Sequence, residues 1–347
     1  MGKISNSINH YLSDNRRFAD LFNGICFRGE TVVRAEDLSE STQIYYDITG
    51  TADKGQADRR TGKNEPYPKR RDRIRDICKQ LKSGGVLRIL AVENQEKVDY
   101  TMPYRCMEYD VMEYGKQLDI LRNKNRQESP KNIIGEIGGI KKTDRLAPVY
   151  TICLYHGVET WDGPRTLGDM MDFGDKGDGF RKIFKDYPIQ LYCLNEAHSL
   201  QLFRTEVGIL FQALQYRKDR AGLKNLMEQD ERYKSIDVDT LETMSVMLEL
   251  PSIWKNREKY MGMNEEDKEE YNMCQAIREW AEEERSIGRK EGRVEGQQTG
   301  FVKGQQTGAD EKTRTIVRNM LARGMSDADI MAIAECDQDF IDRVRLA

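Results

Sequence analysis

The sequence predicts an α/β protein whose sheet is covered by helices on both faces. Three segments read as strands by their short apolar and β-branched composition: Val86-Leu-Arg-Ile-Leu-Ala-Val92, Pro148-Val-Tyr-Thr-Ile-Cys-Leu-Tyr155 and Ile189-Gln-Leu-Tyr-Cys-Leu194. Between the first two, Met102, Cys106, Met107, Val111, Met112 and Leu118 recur at three and four, the period of a helix. Strands separated by helices pair into a sheet that the helices then cover.

The 347 residues suffice for one large domain or two modest ones. With 38% hydrophobic and 33% charged residues, the chain has material for a core and a very polar remainder. No run approaches the roughly 18 apolar residues that span a bilayer. The opening residues Met1-Gly-Lys-Ile-Ser-Asn6 lack the apolar stretch of a secretory signal, so no membrane partner and a cytoplasmic location are expected. The seven cysteines at 26, 78, 106, 153, 193, 274 and 336 form no C-x-x-C pair, so neither a disulfide framework nor a zinc ribbon is suggested. They read as small core residues. The three histidines, His10, His156 and His198, have no metal-ligand spacing.

In order along the chain, residues 14–23 place Phe18, Leu21 and Phe22 on one helical face, with Gly24 as a stop. Residues 47–68 are rich in Gly, Asp, Lys and Thr, carry Pro66 and Pro68, and read as a loop. A short strand over Ile74–Lys79 leads to Gly84-Gly85, whose turn makes a hairpin with the run from Val86. Residues 123–147 read as a second loop. From Leu200 to about Arg285 the pattern is helical, with a break near Pro251.

In the tail, glycines recur every four residues at 288, 292, 296, 300, 304 and 308. On a helix they form a slowly winding stripe, and each costs roughly 1 kcal/mol against alanine. The stretch is either a flexible linker or a helix whose small residues let a second helix approach, as in self-association. Beyond it, Arg314–Arg323 reads as a helix stopped by Gly324. Ser326 with Asp329 reads as a capping box, with Met325 and Ile330 as its staple, and a last helix follows over Gln338–Val344. This unit has the outline of a helix-turn-helix with mixed charge, open to a protein or to DNA.

The chemistry lies around the hairpin. A divalent metal such as Mg²⁺ takes hard oxygen ligands, one or two carboxylates with waters and substrate phosphate. Asp76 and Glu93 are equally far from the Gly84-Gly85 turn, so a hairpin brings them together. Gln95, two residues on, shares the face of Glu93. On spacing alone, Glu93 is equally an acid ending a strand and Asp76 part of a charged surface.

The segment Arg70-Arg-Asp-Arg-Ile-Arg-Asp-Ile-Cys-Lys79, then Leu87-Arg-Ile-Leu-Ala-Val-Glu-Asn-Gln95, Tyr100-Thr-Met-Pro-Tyr-Arg-Cys-Met-Glu-Tyr-Asp110 and Pro148–Gly157 resembles the Rpn-type recombination-promoting nuclease and transposase-like family of the PD-(D/E)XK superfamily. The similarity covers roughly residues 10–220. It implies a restriction-endonuclease-like mixed sheet flanked by helices, with Asp76 and Glu93 as metal ligands for Mg²⁺ (or Mn²⁺). By the same resemblance, Asp76, Glu93 and Gln95 are catalytic, Gln95 standing at the superfamily's lysine position. A glutamine there orients water or phosphate but lacks the lysine's charge.

Four further readings follow. From Arg59 to Lys82 there are ten Lys/Arg against three acids, so Arg70, Arg71, Arg73, Arg75 and Lys79 are expected to track a phosphate backbone, or else to be a solvated loop. Arg105 and Tyr109 share a helix face; Arg105 either clamps a phosphate or pairs with Glu108 or Asp72. Asp20 is either an auxiliary metal ligand or part of a solvated helix face. His156 is either a general base or a hydrogen-bonded turn residue.

The resulting expectation is a nuclease-like domain over 1–220, a helical extension over 221–286, the glycine-periodic linker or helix over 287–310 and a small helical tail over 311–347. The expected function is metal-dependent DNA cleavage, with a homodimer where both strands are cut. The alternative is a catalytically inactive nuclease fold that binds DNA or mediates assembly.

Overall fold

The structure, a computed structural model, describes residues 3–41, 44–45, 73–128, 139–174, 179–196, 200–263 and 269–346. Two N-terminal helices, α1 (Lys3–Leu12) and α2 (Asn15–Phe27), precede the short strands β1 (Leu38–Glu40), β2 (Ile44–Tyr45) and β3 (Arg73–Ile74). The hairpin strands β4 (Ile77–Ser83) and β5 (Val86–Gln95) lead into α3 (Met102–Glu128). β6 (Val149–Tyr155), α4 (Gly179–Ile183) and β7 (Gln190–Cys193) complete the sheet region.

A mixed five-stranded sheet runs in the order β1-β4-β5-β6-β7. The β1–β4 and β4–β5 pairs are antiparallel; β5–β6 and β6–β7 are parallel, with α3 lying between β5 and β6 in sequence. This is an α/β fold flanked by helices, as the alternation of strand and helix patterns predicts. On one face Met102 and Cys106 of α3 pack with Cys153, Tyr155, Trp161 and Cys193. On the other, the Lys79 amine of β4 donates to the Ser13 carbonyl (2.7 Å) and to Asn15 Oδ1 (2.8 Å), and sits over the Phe18 ring of α2.

After the sheet come α5 (Val207–Gln215), α6 (Arg220–Gln229), α7 (Val238–Met247) and α8 (Pro251–Lys255). A hairpin of β8 (Met261–Met263) and β9 (Glu269–Tyr271) follows, then the long α9 (Met273–Ala322), α10 (Asp327–Ala334) and α11 (Gln338–Leu346). The chain divides into two compact units, Met1–Arg278 and Glu279–Ala347, with α9 crossing the division. Residues 221–278 therefore belong to the unit that holds the sheet. Tyr11 of α1 hydrogen-bonds Thr240 of α7 at 3.1 Å, and Arg17 pairs with Asp237 and Asp239 at the start of α7.

The second unit contains a small core of Val317, Ile330, Ile341 and Val344. Gly324 (φ 74°) ends the helical run, Ser326 caps α10 by accepting from the Asp329 amide, and Met325 packs in the same cluster as Ile330. The glycine-periodic stretch 287–310 lies within α9, and its six glycines have nothing within 4 Å of the place a Cβ would take.

Four expectations about elements need correction. Gly24 does not stop α2, which runs on to Phe27 and ends with Arg28 and Gly29 at positive φ. Gly24 is instead buried with the Phe203 ring 2.4 Å from where a Cβ would stand, so its smallness admits that ring. The polar run expected as a loop from 123 is helical to Glu128, because its polar residues continue the exposed sides of α3. The buried stripe of α3 is Met102, Cys106, Tyr109, Asp110 and Glu113, while Val111 is exposed. The region 200–285 is not wholly helical: β8 and β9 pair in it, and Ile236 bridges to Tyr271. Pro251 stands at the start of α8, where its missing N–H is harmless. The loop expected over 47–68 lies outside the described residues.

Gly24→Val is expected to destabilise the fold by about 2 kcal/mol through overpacking, read as a lower urea midpoint. Phe203→Leu in the same chain should recover part of the loss, whereas additive losses would show that the two side chains do not meet.

Candidate active site

The hairpin sets the site. Gly84 and Gly85 both take positive φ (60° and 76°), which a two-residue turn matched to strand twist requires. The register runs from Ser83↔Val86 to Ile77↔Val92, so one step further Asp76 stands opposite Glu93. Asp76 itself lies in the break between β3 and β4. That break interrupts the alternation of side chains. The Arg75 guanidinium turns to the α3 side, and the Asp76 carboxylate is gripped at the strand end. Its Oδ2 accepts from the Asn94 amide (2.8 Å) and its Oδ1 from Asn9 Nδ2 of α1 (3.1 Å); Asn94 in turn donates to Asn9 Oδ1.

Glu93 is 1% exposed, at the heart of the sheet. Its Oε1 lies 3.6 Å from Arg75 Nε and its Oε2 3.8 Å from an Arg105 Nη. These are ion pairs beyond hydrogen-bond length, and Oε1 accepts no hydrogen bond among the described residues. Burial first, and then the neighbouring Asp76 charge, push the Glu93 carboxyl up to about 8 against the pull of Arg75 and Arg105. Burial also raises Asp76, against the hydrogen bonds from Asn94 and Asn9. Two acids thus share a cramped, poorly compensated place.

Arg75 is held from behind. Its Nη2 donates to Asp110 Oδ1 (2.5 Å) and Thr151 Oγ1 (2.8 Å); Thr151 donates to the same Asp110 oxygen (2.8 Å), and the Tyr187 hydroxyl donates to the other (2.6 Å). Arg105 sits at the rim, donating to Asp99 (2.6 Å), to Gln95 Oε1 at the long distance of 3.5 Å, and to Tyr109. Burial opposes its charge, and the bonds to Asp99 and Tyr109 more than restore it. Among the described residues Arg105 pairs with Asp99 and Glu93 rather than Glu108, because it leans towards the sheet, and Asp72 lies outside them. Gln95 shares Arg105 with Glu93, as residues on one strand face do. The Tyr109 ring also lies under the Arg75 guanidinium at 5.4 Å.

The structure therefore gathers Asp76, Glu93, Gln95, Arg105 and Tyr109. It overturns two phosphate contacts: Arg75 and Lys79 are both 0% exposed, taken up by buried partners, and neither faces a nucleic-acid backbone. Arg70 and Arg71 lie outside the described residues, and of Arg73 only its place in β3 is described. Asp20 is neither on a solvated face nor at the hairpin. It is buried, and its carboxylate accepts from the Arg204 and Thr205 amides and the Thr205 hydroxyl at 2.6–3.0 Å, tying α2 to the entry of α5. His156 is buried; its amide donates to the Gln95 carbonyl (2.9 Å) and burial lowers its imidazole to about 4. It is a strand-end residue tied through its backbone.

Sequence reasoning missed Asn9, Asn94, Asp99, Asp110, Thr151 and Tyr187. Asp110 and Glu113 were open to discovery, since a carboxylate on the buried stripe of α3 must have a partner. Asn9 and Tyr187 carried no signal, since only the tertiary fold brings them in. Among the described residues no group of three or more His, Cys, Asp and Glu gathers as a ligand set. Two carboxylates are what the centre offers. Among the same residues no helix is long and apolar enough to cross a membrane. Comparison with protein-family models, curated proteins and solved structures finds no match for this chain.

Two outcomes test this geometry. Because Glu93 binds its proton more tightly folded than unfolded, it lowers stability as pH rises from its ordinary range through about 8. In EDTA, Glu93→Gln should raise Tm by about 5 °C at pH 8.5 and by about 1 °C or less at pH 5; a lower Tm at pH 8.5 contradicts the uncompensated burial. Asp20→Ala should destabilise by about 2–3 kcal/mol in urea melts by orphaning the amides of residues 204 and 205.

Proposed function

We propose that this chain is a metal-dependent DNA endonuclease of the PD-(D/E)XK type, related to the recombination-promoting, transposase-like nucleases. The observation that carries the reading is Glu93. It is a fully buried acid at the end of a hairpin strand, with one oxygen unsatisfied, next to a second acid that raises its proton affinity. An isolated fold gains nothing from this arrangement, but a hard cation shared by Asp76 and Glu93 relieves both the repulsion and the unsatisfied oxygen. The donor set fits Mg²⁺ or Mn²⁺ with two carboxylates, the remaining positions going to water and a phosphate oxygen. When bound, such an ion neutralises charge on the scissile phosphate and lowers the pKa of the attacking water.

The chain's own residues then have distinct tasks. Asn9 and the Asn94 amide fix the Asp76 carboxylate, and the Arg75–Asp110–Thr151–Tyr187 set fixes the side chain against which Glu93 lies. Gln95 offers an amide that orients water or phosphate. The positive charge that Gln95 lacks stands next to it in Arg105, whose guanidinium suits phosphate oxygens in a bidentate manner. Cutting both strands calls for two centres, hence a homodimer.

One observation favours the second reading, a catalytically inactive nuclease fold acting as a DNA-binding or assembly module. Arg75 and Arg105 already bring two positive charges to Glu93. The purified protein should nick or linearise plasmid DNA with Mg²⁺ or Mn²⁺ and be silent in EDTA. Asp76→Asn and Glu93→Gln should each reduce cleavage at least about a hundredfold, and Arg105→Ala about tenfold. DNA binding without cleavage under either metal selects the inactive module, and cleavage of RNA alone moves the substrate.

A further inference from the structure

A cavity of about 370 Å³ opens at the C-terminal ends of the parallel strands β5 and β6, lined by Glu96, Lys97, Tyr155, Gly157, Arg217 and Glu159, the last paired with Lys218, among others. The carboxyl ends of parallel strands are where α/β sheets receive ligands. The cavity adjoins the candidate centre: Glu96 follows Gln95 directly, and the His156 amide donates to the Gln95 carbonyl (2.9 Å). Its floor is tightly drawn, since a Cβ on Gly157 would stand 2.3 Å from the Glu96 carbonyl oxygen.

Arg217 is the unusual member. Its Nη1 donates to the His156 carbonyl (3.1 Å), while its Nε and Nη2 are enclosed and make no hydrogen bond among the described residues. Glu96 and Glu249 favour its charge from a distance, and among the described residues no ion pair joins either to Arg217. The buried His156 imidazole has no hydrogen-bond partner among the described residues either. Buried guanidinium donors normally have acceptors, because leaving them bare costs more than almost any other polar defect. Tyr155 does not supply one: its hydroxyl is committed to the Glu159 carbonyl (2.9 Å). A small side-chain shift that opens Nε and Nη2 to the cavity would let an oxyanion satisfy that edge of the guanidinium, and Lys97, exposed at the same cavity, adds a second positive charge.

We propose that Arg217 and Lys97 form a phosphate-binding subsite beside the cleavage centre, one that receives the terminal 5′-phosphate of a nucleic-acid strand. A concave site suits a terminal phosphate with three free oxygens better than a backbone diester with two. The placement rests on the nuclease reading; the phosphate chemistry rests on Arg217 alone. The site makes the enzyme a reader of strand ends or nicks as well as a cutter.

The test uses the full chain in EDTA, so that binding is read without cleavage. Inorganic phosphate, at matched ionic strength against chloride, should raise Tm of the wild type, and Arg217→Gln should weaken that response about tenfold or more. A 5′-phosphorylated dodecamer should bind about tenfold tighter than the same strand with a 5′-hydroxyl, and Arg217→Gln should erase the difference. Removing a half-buried charge with two enclosed, unpaired nitrogens should leave Tm unchanged or higher in phosphate-free buffer. Should that variant fail to fold, Lys97→Ala, at an exposed position, must still weaken phosphate about threefold. No response to phosphate in the wild type, or an undiminished one in both variants, overturns the subsite. A response to inorganic phosphate with no preference between the two dodecamers overturns the strand-end assignment. Phosphate binding lost in Arg217→Gln by a protein that never cuts DNA sinks the nuclease reading and leaves the subsite standing.

Discussion

The burial of Glu93 against Arg75 is the constraint on which the rest of the sheet region depends. A carboxylate and a guanidinium taken wholly out of water are worth keeping only if every remaining lone pair and proton is provided for. Most of the surroundings answer to that need. Asp110 and Thr151 meet the far side of Arg75, Tyr187 meets the far side of Asp110, and the Tyr109 ring lies under the guanidinium. These partners come from α3, from β6 and from the segment before β7, so the network fixes how α3 lies on the sheet. Yet the provision stops short at Glu93, whose oxygens lie 3.6 and 3.8 Å from the two arginines. A fold selected only for stability has an easy alternative in an apolar residue at 93. The provision for this acid is thus incomplete, unlike that for Arg75 and Asp110.

How much of this was legible follows from the range of each signal. The hairpin could be read from Gly84-Gly85 and the flanking apolar runs, because turn chemistry and period-two alternation are local. The same alternation misplaces Arg75 and Asp76. It presumes an unbroken strand, and the break between β3 and β4 sends one side chain to the α3 side and fixes the other at the strand end. Burial of Arg75 and Lys79 was illegible for a related reason. Both sit within a run of ten basic residues, and local charge density describes a solvated surface until tertiary partners are known. Lys79 is enclosed by Ser13, Asn15 and Glu40, which no pattern around residue 79 announces. The small β8–β9 hairpin escaped because Met261–Met263 and Glu269–Tyr271 are too short for periodicity to register.

The glycine-periodic stretch shows the reverse case, a pattern read correctly whose consequence was open. Six glycines at about 1 kcal/mol each weaken a helix, yet α9 continues through all of them. Among the described residues nothing beyond the helix's own nearby backbone comes within 4 Å of the places their Cβ atoms would fill, so close packing there does not explain them. The stability of α9 at its two ends comes from elsewhere. Met273, Cys274, Ala276 and Ile277 are buried in the first unit and Val317 in the second. The helix is thus held by its termini, with a central span that makes no burial of its own.

The electrostatics of the hairpin end bear on what kind of centre it is. Two acids and two arginines balance in number, which is the ordinary makeup of an inert buried cluster. Balance in number is not balance in energy. Asp110 already draws on Arg75 through its 2.5 Å hydrogen bond, and Asp99 draws on Arg105 at 2.6 Å. The guanidinium charge left over for Glu93 is therefore partial, and its carboxyl remains raised to about 8 with both arginines present. At neutral pH the cluster therefore holds a proton on Glu93, set by burial more than by either arginine. Asp76, gripped by Asn9 and the Asn94 amide, stands at the same spot, its carboxyl raised by burial. Asp76 and Glu93 thus bring two carboxyl groups to adjoining strand ends, against guanidinium charge that Asp110 and Asp99 already share.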